Sequence, residues 1–195
     1  TADLLETLTK KHDEDVKKWA LLQELKGKPS TTIDGRNVHV YANIGGPSDL
    51  GSVNENDAEG VGLFRSEFVY LNSKEEPTEE QQFMAYKRVV ETLAPKLVII
   101  RTCDIGADKT IDYMHLDKEE NPALGFRAIR ICLTRPDIFK TQLRALYRAS
   151  AYGKCGIMFP MITSVSEVEQ ILAICEEVKE QLRDAGIPFD EKAEI

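Results

Sequence analysis

The run Leu97-Val98-Ile99-Ile100, closed by Arg101 and followed by Thr102-Cys103-Asp104-Ile105-Gly106-Ala107-Asp108-Lys109, restricts this chain to few architectures. A short aliphatic run without polar alternation forms a strand covered on both faces, the ordinary condition of a parallel strand flanked by helices. Its charge gathers at the carboxyl end, where ligands bind in parallel α/β folds. Arg101, Asp104 and Lys109 are therefore candidate site residues. The 195 residues, 42% of them hydrophobic, suffice for one domain of ordinary size with a sizeable core.

The same pattern occurs earlier. Gly60-Val61-Gly62-Leu63-Phe64 ends on Arg65, with Glu67 two residues on. If the two strands are adjacent and parallel, Arg65 and Arg101 project into one mouth, where two guanidinium forks suit a phosphate or carboxylate. The competing reading of one such arginine is a structural Arg–Glu pair; two at equivalent strand positions favour an anion site.

The rest of the chain supplies the helices that parallel strands need. Ala2 to Lys26 carries Leu4, Leu5, Leu8, Val16, Trp19, Leu22 and Leu25 at near-helical spacing, stopped by Gly27 and Pro29. This helix serves as a linker or docking surface, or packs on the side of the following domain. Val38 to Ile44 predicts the first strand, opening into Gly45-Gly46, with His39 as a packed or satisfied side chain and Asn43 near the strand end. Ser48 or Asp49 caps a short helix to about Asn56. Thr78 and Gln81 form a capping box for a helix to about Leu93, closed by Pro95.

From Thr110 to Asn121 there is little periodicity, which predicts a long loop over the site. Leu124 to Leu133 reads as a helix with Arg127 in its first turn, where a cation opposes the helix dipole and would face an anion. Pro136 to about Ala151 is a helix with Ile138, Phe139, Leu143, Leu146 and Tyr147 facing inward, and with Arg144 and Arg148 on the surface. Cys155 to Met161 is the fourth apolar strand. Ser164 and Glu167 box the start of a helix ending near Gly186, after which the chain leads toward a further strand.

Composition excludes several classes. A net charge of -8 and a pI of about 5.0 argue against nonspecific nucleic-acid or anionic-membrane binding, so an anionic ligand must be held by local arginines. Neither a span of 18 or more apolar residues nor a secretory signal is present, and a soluble cytoplasmic protein is expected. Cys103, Cys132, Cys155 and Cys175 have no CxxC spacing and read as small buried thiols, with neither a disulfide nor a metal site indicated.

Taken together, Tyr41-Ala42-Asn43-Ile44-Gly45, Gly60 to Phe68, Pro77-Thr78-Glu79-Glu80-Gln81, Arg101 to Lys109, Lys118-Glu119-Glu120-Asn121-Pro122, Gly125-Phe126-Arg127-Ala128-Ile129-Arg130 and Ile157-Met158-Phe159-Pro160-Met161 make a specific pattern. The chain resembles the PEP-binding barrel domain of the phosphoenolpyruvate-protein phosphotransferases, the enzyme I family of the bacterial sugar phosphotransferase system. The related pyruvate phosphate dikinases and PEP synthases share the arginines but differ around Asp104 to Lys109.

The resemblance implies an α/β fold, a partial TIM-type (β/α)8 barrel of about four βα units preceded by a long linker helix: 1–28 the linker and 29–195 the first half of the barrel. It implies PEP as substrate, Mg2+ as cofactor, and phosphoryl transfer to a histidine on a separate N-terminal domain and then to HPr. Arg65 and Arg101 match the arginines that hold the PEP phosphate; Asp104, Lys109 and Arg127 match supporting residues, and Asn43 joins them as a candidate. The magnesium ligands and the catalytic cysteine are expected beyond Ile195, so neither a catalytic residue nor a metal ligand is expected within the chain, and Cys103 has no catalytic counterpart. The isolated chain is then expected to be inactive. Open sheet edges would favour a homodimer. The alternatives are a standalone PEP-like anion-binding or oligomerisation module, or a fragment of a pyruvate phosphate dikinase or PEP synthase.

Overall fold

The computed structural model describes residues 2–109 and 111–195. Thr1, in the expected 1–28 segment, and Thr110, at the head of the expected loop, lie outside the described residues.

Four strands, β1 (Ala42–Ile44), β2 (Val61–Arg65), β3 (Val98–Arg101) and β4 (Cys155–Met158), form one sheet in the order β1-β2-β3-β4. Every neighbouring pair is parallel. Parallel neighbours need crossover connections, and helices provide them. A 3-10 turn and α2 (Leu50–Glu55) join β1 to β2; α3 (Glu67–Leu71) and α4 (Glu79–Leu93) join β2 to β3. Helices α5 (Ile129–Thr134) and α6 (Pro136–Ser150) join β3 to β4, and α7 (Val165–Asp184) follows. This is the expected partial βα barrel. Near the end of the chain the Ile157 N–H donates to the Glu194 carbonyl at 2.9 Å, and Glu194 bridges Gly156 in parallel, so the segment after α7 does return beside β4.

The core lies between the sheet and the helices. Val98 and Ile100 of β3 and Cys155 and Ile157 of β4 are buried, whereas Ile99, Arg101 and Met158 are only half-buried. Phe64 meets Tyr86 of α4 edge-on at 5.6 Å, which identifies the helix-covered face. The inward face expected for α6 is fully formed, with Ile138, Phe139, Leu143, Leu146 and Tyr147 all buried. Both capping boxes are present: the Gln81 amide donates to Thr78 Oγ1 at 3.2 Å, and the Glu167 amide donates to Ser164 Oγ at 3.2 Å. All four cysteines are free and buried.

Four boundaries differ from the sequence expectation. The first helix, α1 (Ala2–Gln23), stops in turns before Lys26, and Gly27 adopts φ 71° as its terminator. Its apolar residues, Leu4 to Leu22, are each at least half exposed, so it does not pack on the domain; the Gly27 N–H ties its end to Asp57 Oδ2 at 2.7 Å. Residues Val38 to Tyr41 are exposed and β1 begins only at Ala42, whose N–H reaches the Gly60 carbonyl at 2.9 Å. Strand β4 ends at Met158 rather than Met161. The helix expected from Leu124 starts at Ile129, because Gly125 to Arg127 are held by side chains instead, as described below.

Candidate functional site

The strand register brings the two arginines together. Arg65 and Arg101 are direct partners across β2 and β3, as are Phe64 and Ile100 one residue earlier. Since successive side chains of a strand leave opposite faces, burial of Phe64 and Ile100 under the helices turns both arginines to the other face, at the carboxyl ends of their strands.

Their surroundings differ. The Arg101 NH2 group donates to Glu67 Oε1 at 2.6 Å, and its NH1 lies 3.0 Å from Asp104 Oδ2. Glu67 is buried at the start of α3, and its pairing with Arg101 rather than with the nearer-in-sequence Arg65 replaces the local Arg65–Glu67 pair considered above. Arg65 instead lays its guanidinium over the Phe68 ring, 4.7 Å from the centroid. Among the described residues it has no carboxylate within ion-pair distance. The Nε atoms of both arginines and Glu67 Oε2 are buried without a partner. Buried donors normally find acceptors, and the two Nε–H groups are free to take one, whereas Glu67 Oε2 is itself an acceptor.

Asp104 is shared. Its Oδ1 accepts from Arg127 Nε at 3.1 Å and NH2 at 2.9 Å, while Oδ2 faces Arg101. Arg127 NH1 donates to Asp108 Oδ1 and to the Pro122 carbonyl, each at 3.2 Å. Lys109 Nζ stands 3.5 Å from Asp108 Oδ2 and is exposed at the rim. The charges therefore alternate from Glu67 through Arg101, Asp104, Arg127 and Asp108 to Lys109. Four cations, with Arg65, against three carboxylates leave one positive charge, and it resides on Arg65.

Arg127 was expected in a helix turn facing an anion through the dipole. It lies two residues before α5, a helix of 6 residues, and a half-buried guanidinium bound to two aspartates holds it there. Its approach requires Gly106: a Cβ at that position would stand 2.9 Å from Arg127 Cβ. The neighbouring bend is similarly fixed, since the Glu119 carboxylate occupies the space beside Gly125 and accepts the Phe126 N–H at 2.8 Å. Asn43 is exposed on β1, paired in register with Leu63, and forms no hydrogen bond to the arginine cluster among the described residues. The segment after Lys109 is loop-like, with one 3-10 turn at Asp112–Met114, but it is anchored by buried Ile111 and Met114 and by Tyr113, whose hydroxyl donates to the Tyr70 carbonyl at 2.8 Å.

Glu67 and Asp108 are the residues that sequence reasoning left out of the site. The signal for Asp108 was its place beside Lys109; for Glu67 it was a carboxylate two residues past one strand-end arginine, whose true partner depends on register. Cys103 is fully buried and burial pushes its thiol well above the usual range, with Cys132 and Glu67 adding to the shift, so it is not a nucleophile. His39 is exposed, stacked on Tyr41 and paired with Glu59 at 2.6 Å, distant from this chemistry.

A magnesium ion would need oxygen donors not already engaged. Both Asp104 oxygens and Glu67 Oε1 face arginines, and among the described residues no group of three or more His, Cys, Asp or Glu could hold a metal. The residues present do not make a magnesium site. No helix among them is long and apolar enough to cross a membrane.

Residues 19–195 match the family described as PEP-utilising enzyme, PEP-binding domain. The chain is 49% identical over 174 residues to a phosphoenolpyruvate-protein phosphotransferase of Staphylococcus aureus, covering 89% of the chain and 30% of that protein. A Haemophilus influenzae protein of the same name is 49% identical over 176 residues, covering 90% and 31% respectively. The chain thus spans about 30% of the length of these relatives.

Proposed function

We propose that this chain, which belongs to the PEP-utilising enzymes through their PEP-binding domain, is the phosphate-gripping part of a phosphoenolpyruvate-protein phosphotransferase. The observation that carries the reading is the register match of Arg65 and Arg101 at the carboxyl ends of adjacent parallel strands, with their Nε donors buried and unanswered. Arg65, the uncompensated cation, takes the PEP phosphate directly, and Arg101 presents its remaining donors from a fixed position. Asp104, Arg127 and Lys109 hold the loop above, and Asn43 lies on the same side at the sheet edge.

In phosphoryl transfer the protein supplies positioning and charge neutralisation, which is what paired, preset guanidinium groups provide. As part of the longer protein the chain would serve PEP-dependent phosphorylation of HPr in cytoplasmic sugar uptake, with magnesium and as a homodimer.

Isothermal titration of the 195-residue chain with PEP tests the proposal. The expected outcome is saturable binding that falls by roughly ten- to a hundredfold in Arg65→Ala, the loss of charge-assisted hydrogen bonds to phosphate, without phosphoryl transfer to HPr. Identical affinity in the variant would overturn it.

A further inference from the structure

Beneath the two arginines lies a buried polar hub that the anion site itself does not use. Gln142 of α6 is completely buried. Its Oε1 accepts the Cys103 N–H at 2.8 Å, and its Nε2 donates to Ser66 Oγ at 3.0 Å and to Tyr86 Oη at 3.0 Å. Ser66 is the residue after Arg65; Cys103 is two residues after Arg101. Gln142 is thus hydrogen-bonded to both strand-end turns from the helix side, while Arg101 links Glu67 and Asp104 on the opposite face. The remaining atoms of the hub are satisfied outward: the Tyr86 and Tyr70 hydroxyls donate to Gln82 Oε1 at 3.1 and 3.2 Å, and Gln82 Nε2 donates to the Pro77 carbonyl at 2.9 Å.

We infer that Gln142 is a positioning residue, which ties the turn after β2 to the turn after β3 and so sets the spacing of Arg65 and Arg101 for one anion. The inference rests on the proposed reading of those arginines as a phosphate grip. A core position flanked by Phe139, Leu143 and Leu146 would accept an aliphatic side chain at less cost than a buried amide, whose every donor and acceptor must be matched. The amide is matched only when both turns sit at one separation. An apolar residue there would pack against either turn without specifying their distance. The register between β2 and β3 ends at Arg65 and Arg101, so beyond them no ladder joins the two turns to each other, although the Thr102 N–H still donates to the Met158 carbonyl of β4 at 2.9 Å.

The test combines nitrogen-15 NMR of the arginine Nε–H groups with PEP titration of the same chain. Ser66→Ala cuts the tie on the Arg65 side alone: the Arg65 Nε–H signal should broaden, the Arg101 signal should persist, and the PEP dissociation constant should rise about tenfold, the scale of one buried hydrogen bond. Gln142→Leu should broaden both signals and weaken binding further. Tyr70→Phe, which removes a hub hydrogen bond that does not involve Gln142, should lower the denaturation midpoint and leave both signals and the affinity unchanged. Wild-type arginine signals in Ser66→Ala and Gln142→Leu overturn the inference; if Gln142→Leu does not fold, Ser66→Ala decides. Should the unmodified chain fail to bind PEP, the phosphate-grip reading falls, while the arginine signals still decide whether Gln142 positions the pair.

Discussion

Two arginines at one level of a sheet carry different loads. Arg101 neutralises buried Glu67 and shares Asp104 with Arg127, whereas Arg65 rests on Phe68 and neutralises no carboxylate among the described residues. Removing Arg101 leaves a buried carboxylate unpaired, and Arg101→Ala is expected to lose about 3 kcal/mol of unfolding free energy in urea titrations. Arg65→Ala creates no such orphan, so its loss should stay below about 1 kcal/mol while PEP affinity falls. Equal destabilisation by the two substitutions would contradict this division. Gly106→Ala makes a related point: the added methyl must displace Arg127 from Asp104, and the expected readout is lower thermal stability together with weaker PEP binding.

At the level of elements, the helices begin where local chemistry dictates, and their ties to one another respond to acid. Thr78→Ala and Ser164→Ala each remove the side-chain acceptor of a capping box and should each cost about 1 kcal/mol by chemical denaturation. Hydrogen bonds from the Thr163 N–H and, against the opposing effect of desolvation, from the Ser164 N–H hold the Glu167 carboxyl below its usual value. Glu79 links α4 to α6: burial raises its carboxyl, but hydrogen bonds from Arg144 and Arg148 outweigh that and set it below 4.5. A depressed carboxylate contributes stability that is present above its unfolded value and disappears as pH falls through the folded one. Stability should therefore decline below about pH 4.5, and Glu79→Gln should make that acid limb shallower in denaturation curves measured at pH 3 to 6. Arg144 and Arg148, expected as plain surface residues, are thus bridges between helices. The start of α5 departs from local periodicity for a comparable reason, since Arg127 is pulled out of helical geometry by aspartates distant in sequence.

For the whole molecule, the four-stranded sheet has β1 at one edge, and β4 at the other is met, among the described residues, by a single bridge to Glu194. Ile99, Phe159, Ile162 and Leu172 line an apolar groove beside β4, and the stripe of α1 is uncovered. Unpaired edges and exposed apolar surface favour self-association, and the proposed homodimer is expected to appear in sedimentation equilibrium as a concentration-dependent species. A monomer throughout the micromolar range would remove that proposal.

What was legible in the residues was what depends on near neighbours. The unalternating runs at Val61 to Phe64 and Val98 to Ile100, the inward spacing of α6 and the boxes at Thr78 and Ser164 each express a preference settled within a few positions, and each is present in the fold. The repeated placement of an arginine at a strand end was readable too. Which carboxylate meets which guanidinium was not. Glu67 pairs with a residue 34 positions away and Gln142 reaches Ser66 across 76, and such partnerships depend on strand register and on how α6 lies against the sheet. Local periodicity places a charge at the end of a strand; only packing of the whole chain decides whether that charge is already answered.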